Sequence, residues 1–235
     1  MRRVATQLIV FGDMIRTDLD GVLAACAEAG YDGVETALCV NHLPGRALGH
    51  LLERYGLALA GCHVDFARLG DAAAGVDYVL EAGAKHLICS GVGPRDRGLA
   101  AYEEAAAAFN RIGEIACGKG AVFCYHNHSW EFEDFGGRTG LDVLYERTDP
   151  ELVKLCVDTF WVADAGEDPT VFLHRHLGRL ALVHLKDGRP GATLADGRRE
   201  FLELGSGDLN FPAILRILDL AGLGWVTVEQ DSSYI

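Results

Sequence analysis

Six times in this chain a short apolar stretch ends on a polar residue: GVE at Glu35, LALAGCH at His63, VFCYH at His126, LCVD at Asp158, LVHLK at His184 and Lys186, and VTVE at Glu229. Short apolar runs without polar alternation are strands buried on both faces, as parallel strands are when helices cover them. Polar residues repeated at the ends of such strands all reach one rim of the sheet. In barrels of parallel strands that rim is where chemistry is carried out.

Strand-like segments fall near residues 4–11, 32–37, 57–64, 85–91, 120–127, 152–158, 180–186 and 224–229. Helical patterns separate them over Asp18–Ala29, Ala47–Tyr55, Ala72–Ala82, Leu99–Cys117, Leu141–Arg147, Thr170–Leu177 and Phe211–Ala221. Asp18 or Thr17 suits the cap of the first helix. Gly30, Gly56, Gly83, Gly118, Gly178 and Gly222 stand where a left-handed residue would end a helix. Strict strand-then-helix alternation predicts parallel strands joined by crossovers, and eight strands predict a (β/α)8 TIM barrel occupying residues 1–235 as one domain. A doubly wound sheet is the alternative, but no G-x-G-x-x-G follows the first strand; the nearest glycine cluster, Gly91-Val92-Gly93, follows the fourth. Only six residues follow Glu229, too few for an eighth helix, so the expectation is a barrel lacking that helix, either capped by another subunit in a homo-oligomer or shortened.

Charge narrows the partners. With 21 Lys and Arg against 34 Asp and Glu the net charge is −13, which opposes binding to a phosphate backbone and argues against nucleic acid. No apolar run approaches the length of a membrane span, and the N-terminus MRRVATQLIVFGD has its apolar run broken by Gln7 and Asp13, unlike an export signal. The seven cysteines form no C-x-x-C pair and lie mostly in apolar elements, as buried thiols of a reducing cytoplasm do.

Asp158, His184 and Glu229 end the sixth, seventh and eighth strands and could meet at one ion. Their mixed oxygen and nitrogen donors suit Mn²⁺, Mg²⁺, Co²⁺ or Zn²⁺. The fifth strand offers two candidates for a further ligand within YHNHSWEFE. His126 has the strand-end position and shares a face with His128, whereas Glu131 lies just beyond the strand and has the chemistry of an acid/base group. Trp130 and Trp161 are candidate apolar platforms for a sugar ring, with core packing as the rival role. Glu35 and His63 are expected to line the pocket as substrate-binding or supporting groups. Arg95 and Arg97 follow the fourth strand and fit a solvated loop as well as an anion grip.

GYDGVE at 30–35, YHNHSWEF at 125–132, CVDTFW at 156–161, VHLKD at 183–187, LGSGDLNF at 204–211 and VTVEQD at 226–231 together resemble the sugar phosphate isomerase/epimerase superfamily, with its xylose isomerase-like TIM barrel. That superfamily includes ketose 3-epimerases, hydroxypyruvate isomerases and inosose dehydratases, and more distantly endonuclease IV. The resemblance implies an enzyme that uses one divalent ion, Mn²⁺ foremost, on a small sugar-like substrate. It places the ligands at His126 or Glu131, then Asp158, His184 and Glu229. It further implies proton abstraction beside a carbonyl through a metal-stabilised enediolate. Glu229 and Glu131 would be paired acid/base groups on opposite faces of the substrate, and Lys186 would donate to the oxyanion, unless it is spent on a salt bridge to a rim carboxylate such as Asp187. The leading expectation is an isomerase or epimerase of a sugar, keto-sugar or polyol derivative. An inosose-dehydratase-like lyase is the alternative; an endonuclease-IV-like nuclease and a non-catalytic barrel stand behind both. Many relatives carry His three residues after the strand-six Asp, where this chain has Trp161, which speaks against a multinuclear site.

Overall fold

In the computed structural model, which describes residues 2–231, eight parallel strands close into a barrel. They are β1 (Arg3–Gln7), β2 (Gly33–Ala37), β3 (Ala58–Val64), β4 (His86–Cys89), β5 (Val122–His126), β6 (Val153–Asp158), β7 (Leu180–Leu185) and β10 (Trp225–Val228), and β10 lies between β7 and β1. The outside carries α1 (Met14–Thr17), α2 (Leu19–Glu28), α3 (Gly45–Arg54), α4 (Ala72–Glu81), α5 (Leu99–Gly118), α6 (Gly140–Arg147), α7 (Thr159–Asp164), α8 (Pro169–Arg175) and α9 (Phe211–Ala221). All eight expected strands form, and so do all seven expected helices. Among the described residues no helix is long and apolar enough to cross a membrane.

Strand alternation divides the core into two layers. On β5, Phe123 and Tyr125 point outward and meet Phe109 of α5 with ring centroids 5.2 Å apart in each pair. Cys124 points inward, into a layer with Ala5, Ala60, Ile88, Cys156, Leu182 and Trp225. Gly33 makes room for that layer: a Cβ there would lie 2.7 Å from the Trp225 ring and 2.3 Å from the Ala58 carbonyl oxygen. Phe109 is fully buried, so Phe109→Ala would cost about 3–5 kcal/mol through lost packing and the cavity left behind.

Several expectations change in detail. The first strand was expected to reach residue 11 but ends at Gln7, whose side chain accepts the Ile9 N–H and starts a 3-10 turn over Leu8–Phe11. Gly118 closes α5 from within and Gly178 sits in a 3-10 turn, so neither is left-handed; Gly120, at φ 80°, takes that part after α5. Beyond the expected strands and helices stand the short helices α1 and α7 and an antiparallel hairpin, β8 (Asp187–Thr193) with β9 (Arg199–Leu202), inserted between β7 and α9. The expectation of a missing eighth helix falls on the residues after Glu229, of which 232–235 lie outside the described residues.

Candidate active site

Parity along the strands decides which side chains enter the barrel. His126 and Asp158 are the last residues of β5 and β6, His184 is the penultimate residue of β7, and Glu229 directly follows β10. These four strands are neighbours in the closed sheet, and Asp158 pairs in register with His184. Ligand atoms of His126, Asp158, His184 and Glu229 all lie within 4.8 Å of one another, and all four residues are buried. Asp158 has a double task. Its Oδ1 accepts the N–H groups of Phe160 (2.9 Å) and Trp161 (3.2 Å), capping α7, which leaves Oδ2 facing the site.

Glu35 supports this group from below. Its carboxylate lies 2.6 Å from His63 Nε2 and 2.7 Å from His184 Nε2, and it accepts the Thr227 hydroxyl at 3.1 Å. His63 in turn meets Ser90 Oγ through Nδ1 at 2.8 Å. On the other side of its ring, His184 Nδ1 is hydrogen-bonded to Glu229 Oε2. Burial opposes a charge on His184, but Cys156, Glu35 and Glu229 around it overcome that and hold its pKa well above the usual histidine range. His126 goes the other way. Burial, with His184 and His128 close by, holds it well below that range and keeps its ring neutral.

Lys186 is buried at the centre of a carboxylate cage. Its Nζ lies 3.0 Å from Asp158 Oδ2, 3.2 Å from Glu229 Oε1, and 3.0 and 3.1 Å from the two oxygens of Asp231. Burial pulls its pKa down, yet Asp158, Glu229 and Asp231 together raise it above that of a free lysine. Burial also opposes the charge on Glu229, while Lys186 and His184 hold its carboxyl well below the usual range. Burial pushes Asp231 up to about 6 even with the Lys186 ammonium beside it. Asp231 was not anticipated. The signal was present, since it stands two residues after Glu229 as Lys186 stands two after His184.

The expected salt bridge of Lys186 to a rim carboxylate forms, with Asp158, Glu229 and Asp231 rather than with Asp187. Asp187 points away from Lys186 and accepts the N–H groups of Gly188, Gly205, Gly207 and Leu209 at 2.8–3.3 Å, which ties VHLKD to LGSGDLNF.

Glu131 is not brought to the four-residue group. It is fully buried, but its carboxylate accepts the Tyr125 hydroxyl at 2.6 Å and the His128 N–H at 2.8 Å. Tyr125 faces the helices, so the turn over Trp130–Phe132 has carried Glu131 to the outer side of the sheet, and His126 is the fifth-strand member of the group. Trp130 stacks on His128 with centroids 3.8 Å apart, and the Arg95 guanidinium lies 4.4 Å from its ring centre. Trp161 packs against Phe160 and Phe201 beside the Lys186 ammonium. Both indole N–H groups are buried without a hydrogen-bond partner.

The donor set fits a divalent ion. Two carboxylates and two imidazoles converge, and Asp158 Oδ2 and His184 Nε2 are buried with ion-pair neighbours but no hydrogen bond of good angle. To ligate, His184 must release its proton. Above this group opens a cavity of about 1080 Å³, with His63, His126, His128, Glu229 and Asp231 in its lining.

Comparison with known proteins agrees with this architecture. The family described as "Xylose isomerase-like TIM barrel" matches residues 23–233. Inosose dehydratase of Geobacillus thermodenitrificans is 34% identical over 136 residues, 52% of this chain and 44% of the relative, so the match spans less than half of that protein's length. Inosose dehydratase of Geobacillus kaustophilus is 27% identical over 249 aligned positions, covering 90% of this chain and 80% of the relative. A sugar phosphate isomerase/epimerase crystal structure from Parabacteroides distasonis superposes with a TM-score of 0.80 at 20% identity, over 100% of this chain and 88% of that one, a likeness of fold.

Proposed function

The chain belongs to the xylose isomerase-like TIM barrel family, and from that premise we propose that it is a divalent-metal-dependent lyase of the inosose-dehydratase kind, acting on a keto-sugar or keto-inositol. The observation that carries this reading is the buried convergence of His126, Asp158, His184 and Glu229, with Lys186 against two of them. These four residues would hold the ion, Mn²⁺ in first place with Mg²⁺, Co²⁺ and Zn²⁺ behind it. When bound, the ion would supply Lewis-acid polarisation of the substrate carbonyl and of an adjacent hydroxyl.

The protein groups account for the proton traffic. Glu229 takes the proton α to the carbonyl, and the C–H electron pair becomes the carbon–carbon double bond as the β C–O bond breaks. The Lys186 ammonium gives the departing hydroxyl a proton, so that it leaves as water. Glu229 Oε1 and Lys186 Nζ stand 3.2 Å apart, so the proton taken by the first can pass to the second, and both return to their starting states.

Elimination takes precedence over epimerisation for a reason of geometry. Epimerisation by paired acid/base groups needs a carboxylate on each face of the substrate, and Glu131, expected as the second, is engaged on the outer side of the sheet. Similarity to proteins named inosose dehydratase supports the same choice.

The test is a product assay on the Mn²⁺-loaded chain with a keto-inositol. Loss of water with growth of conjugated-enone absorbance is the expected result. Deuterium entering the substrate from D2O without elimination would return the assignment to an isomerase or epimerase. A chain that takes up no divalent ion would sink both.

A further inference from the structure

We propose that the barrel carries a second metal position, one layer below the four-residue group, made by Cys156 with His126 and His184 and suited to a thiophilic ion such as Zn²⁺ or Cd²⁺. It shares two of its three ligands with the group above, so the chain holds an ion in one position or in the other.

Strand geometry is the first observation. Cys156 stands two residues before Asp158 on β6, on the same inward face and about 6.6 Å back along the strand. It pairs in register with His126 across β5 and β6, as Asp158 pairs with His184 across β6 and β7. The ligand atoms of His126, Cys156 and His184 all lie within 4.8 Å of one another, and all three residues are buried. Among the described residues no other thiol belongs to such a group, not even Cys124, which lies in the same inner layer.

The sulfur–nitrogen distance is the second observation. Cys156 Sγ lies 3.8 Å from His126 Nδ1, a weak thiol–imidazole contact that an ion would replace. In a tetrahedral zinc site, with Zn–S about 2.3 Å and Zn–N about 2.0–2.1 Å, sulfur and nitrogen stand about 3.6 Å apart. A small shift of either side chain therefore makes this pair an edge of a coordination shell.

The donor types decide which ion goes where. The upper group adds two carboxylates to the shared histidines, whereas the lower one adds a sulfur. A thiol buried in an apolar layer keeps its proton unless an ion binds thiolate strongly enough to displace it. Mn²⁺ and Mg²⁺ prefer oxygen and leave the thiol intact; Zn²⁺ and Cd²⁺ form the metal–sulfur bond, and the thiol proton passes to solvent. An ion drawn to Cys156 takes His126 and His184 with it and leaves Asp158 and Glu229 behind. Thiophilic ions then displace Mn²⁺ and stop the reaction, a consequence that, unlike the site itself, rests on the functional reading above.

The experiment titrates Cd²⁺ into the full chain with the exposed Cys39 and Cys117 replaced by serine, so that no surface thiol contributes. Thiolate-to-cadmium charge transfer is read in the ultraviolet, metal content by elemental analysis and Mn²⁺ affinity by electron paramagnetic resonance. One Cd²⁺ per chain with a charge-transfer band is expected. Cys156→Ser, close in volume, is expected to abolish the band and to weaken Cd²⁺ binding at least tenfold, with Mn²⁺ affinity within threefold of the parent. No bound Cd²⁺, Cd²⁺ bound without the band, or a band that survives Cys156→Ser would overturn the proposal. So would equal losses of Cd²⁺ and Mn²⁺ affinity in that variant, which would mark Cys156 as a packing residue. A parent chain that takes up Cd²⁺ with the band but holds no Mn²⁺ would sink the functional reading and leave the thiolate site standing.

Discussion

Lys186 is the residue on which both the stability of the site and the proposed chemistry turn. It is one ammonium facing Asp158, Glu229 and Asp231, almost wholly buried, and removing a single partner from a buried ionic cluster typically costs about 3–5 kcal/mol. Lys186→Met is therefore expected to lower the unfolding free energy of chelated protein by about that amount, and by less when Mn²⁺ is present to compensate the carboxylates. Urea denaturation with and without the ion checks this, and equal losses in both conditions would refute it. Glu229→Gln is expected to lower turnover by at least about a hundredfold with the circular dichroism spectrum unchanged, since a positioned acid/base group contributes about 10²–10⁴-fold. Undiminished turnover would remove Glu229 from the reaction. The convergence of Asp158, His184 and Glu229 could be read from sequence because each stands at or beside the end of a buried apolar strand, the rim at which a parallel barrel gathers its polar side chains. Glu131 could not be read this way. It lies beyond β5, and once the chain leaves the strand, parity no longer says which side of the sheet a carboxylate reaches.

At the scale of elements, the hairpin β8–β9 shows why a motif can be recognised before its structure is. VHLKD and LGSGDLNF stand out as separate strings, but the sequence between them is polar and rich in glycine and carries no strand alternation; its pairing depends on Asp187 accepting N–H groups from the distant loop. Gly207 is the tight point of that loop. A Cβ there would stand 2.3 Å from Asp187 Oδ1 and 2.4 Å from the Gly188 carbonyl oxygen, so Gly207→Ala is expected to destabilise by about 1–3 kcal/mol. A thermal melt within error of wild type would show that the loop yields freely. The end of α8 carries a pH dependence. Burial, with Arg175 and Arg179 adjacent, lowers the pKa of His176 to about 4, against about 6.5 in an unfolded chain. The unfolded state then takes up a proton that the folded state refuses, so this stability is complete above about pH 6.5 and is lost as the pH falls toward 4. After discounting for partial exposure the loss is on the order of 1–2 kcal/mol. Denaturation midpoints at pH 7 and 4.5 should fall less for His176→Gln than for wild type; an equal fall would assign the dependence elsewhere.

At the scale of the whole molecule, strand count and alternation make the barrel legible, while closure, which pairs β10 with β1, is a non-local event that no segment encodes. The curvature of that closed sheet turns the ends of four neighbouring strands inward into one ligand group. An ion held by that group ties β5, β6, β7 and β10 together, and it also neutralises buried carboxylates in a chain of net charge −13. It binds the folded state and finds no assembled site in the unfolded one, so at a hundredfold excess over Kd it stabilises by about 2.7 kcal/mol. For a chain of this size each kcal/mol moves Tm by roughly 2–4 °C, so chelation is expected to lower Tm by about 5–10 °C. Acidic proteins also take up divalent cations loosely over their surface, and that contribution would survive any single substitution in the barrel. Asp158→Asn separates the two. It leaves 33 of the 34 acidic residues in place and removes one ligand, and the Tm difference between chelated and Mn²⁺-saturated protein should shrink to about 1–2 °C. If the difference persists in the variant, the stabilising ion is bound at the surface, and the convergence of His126, Asp158, His184 and Glu229 is an ion-pair network rather than a metal centre.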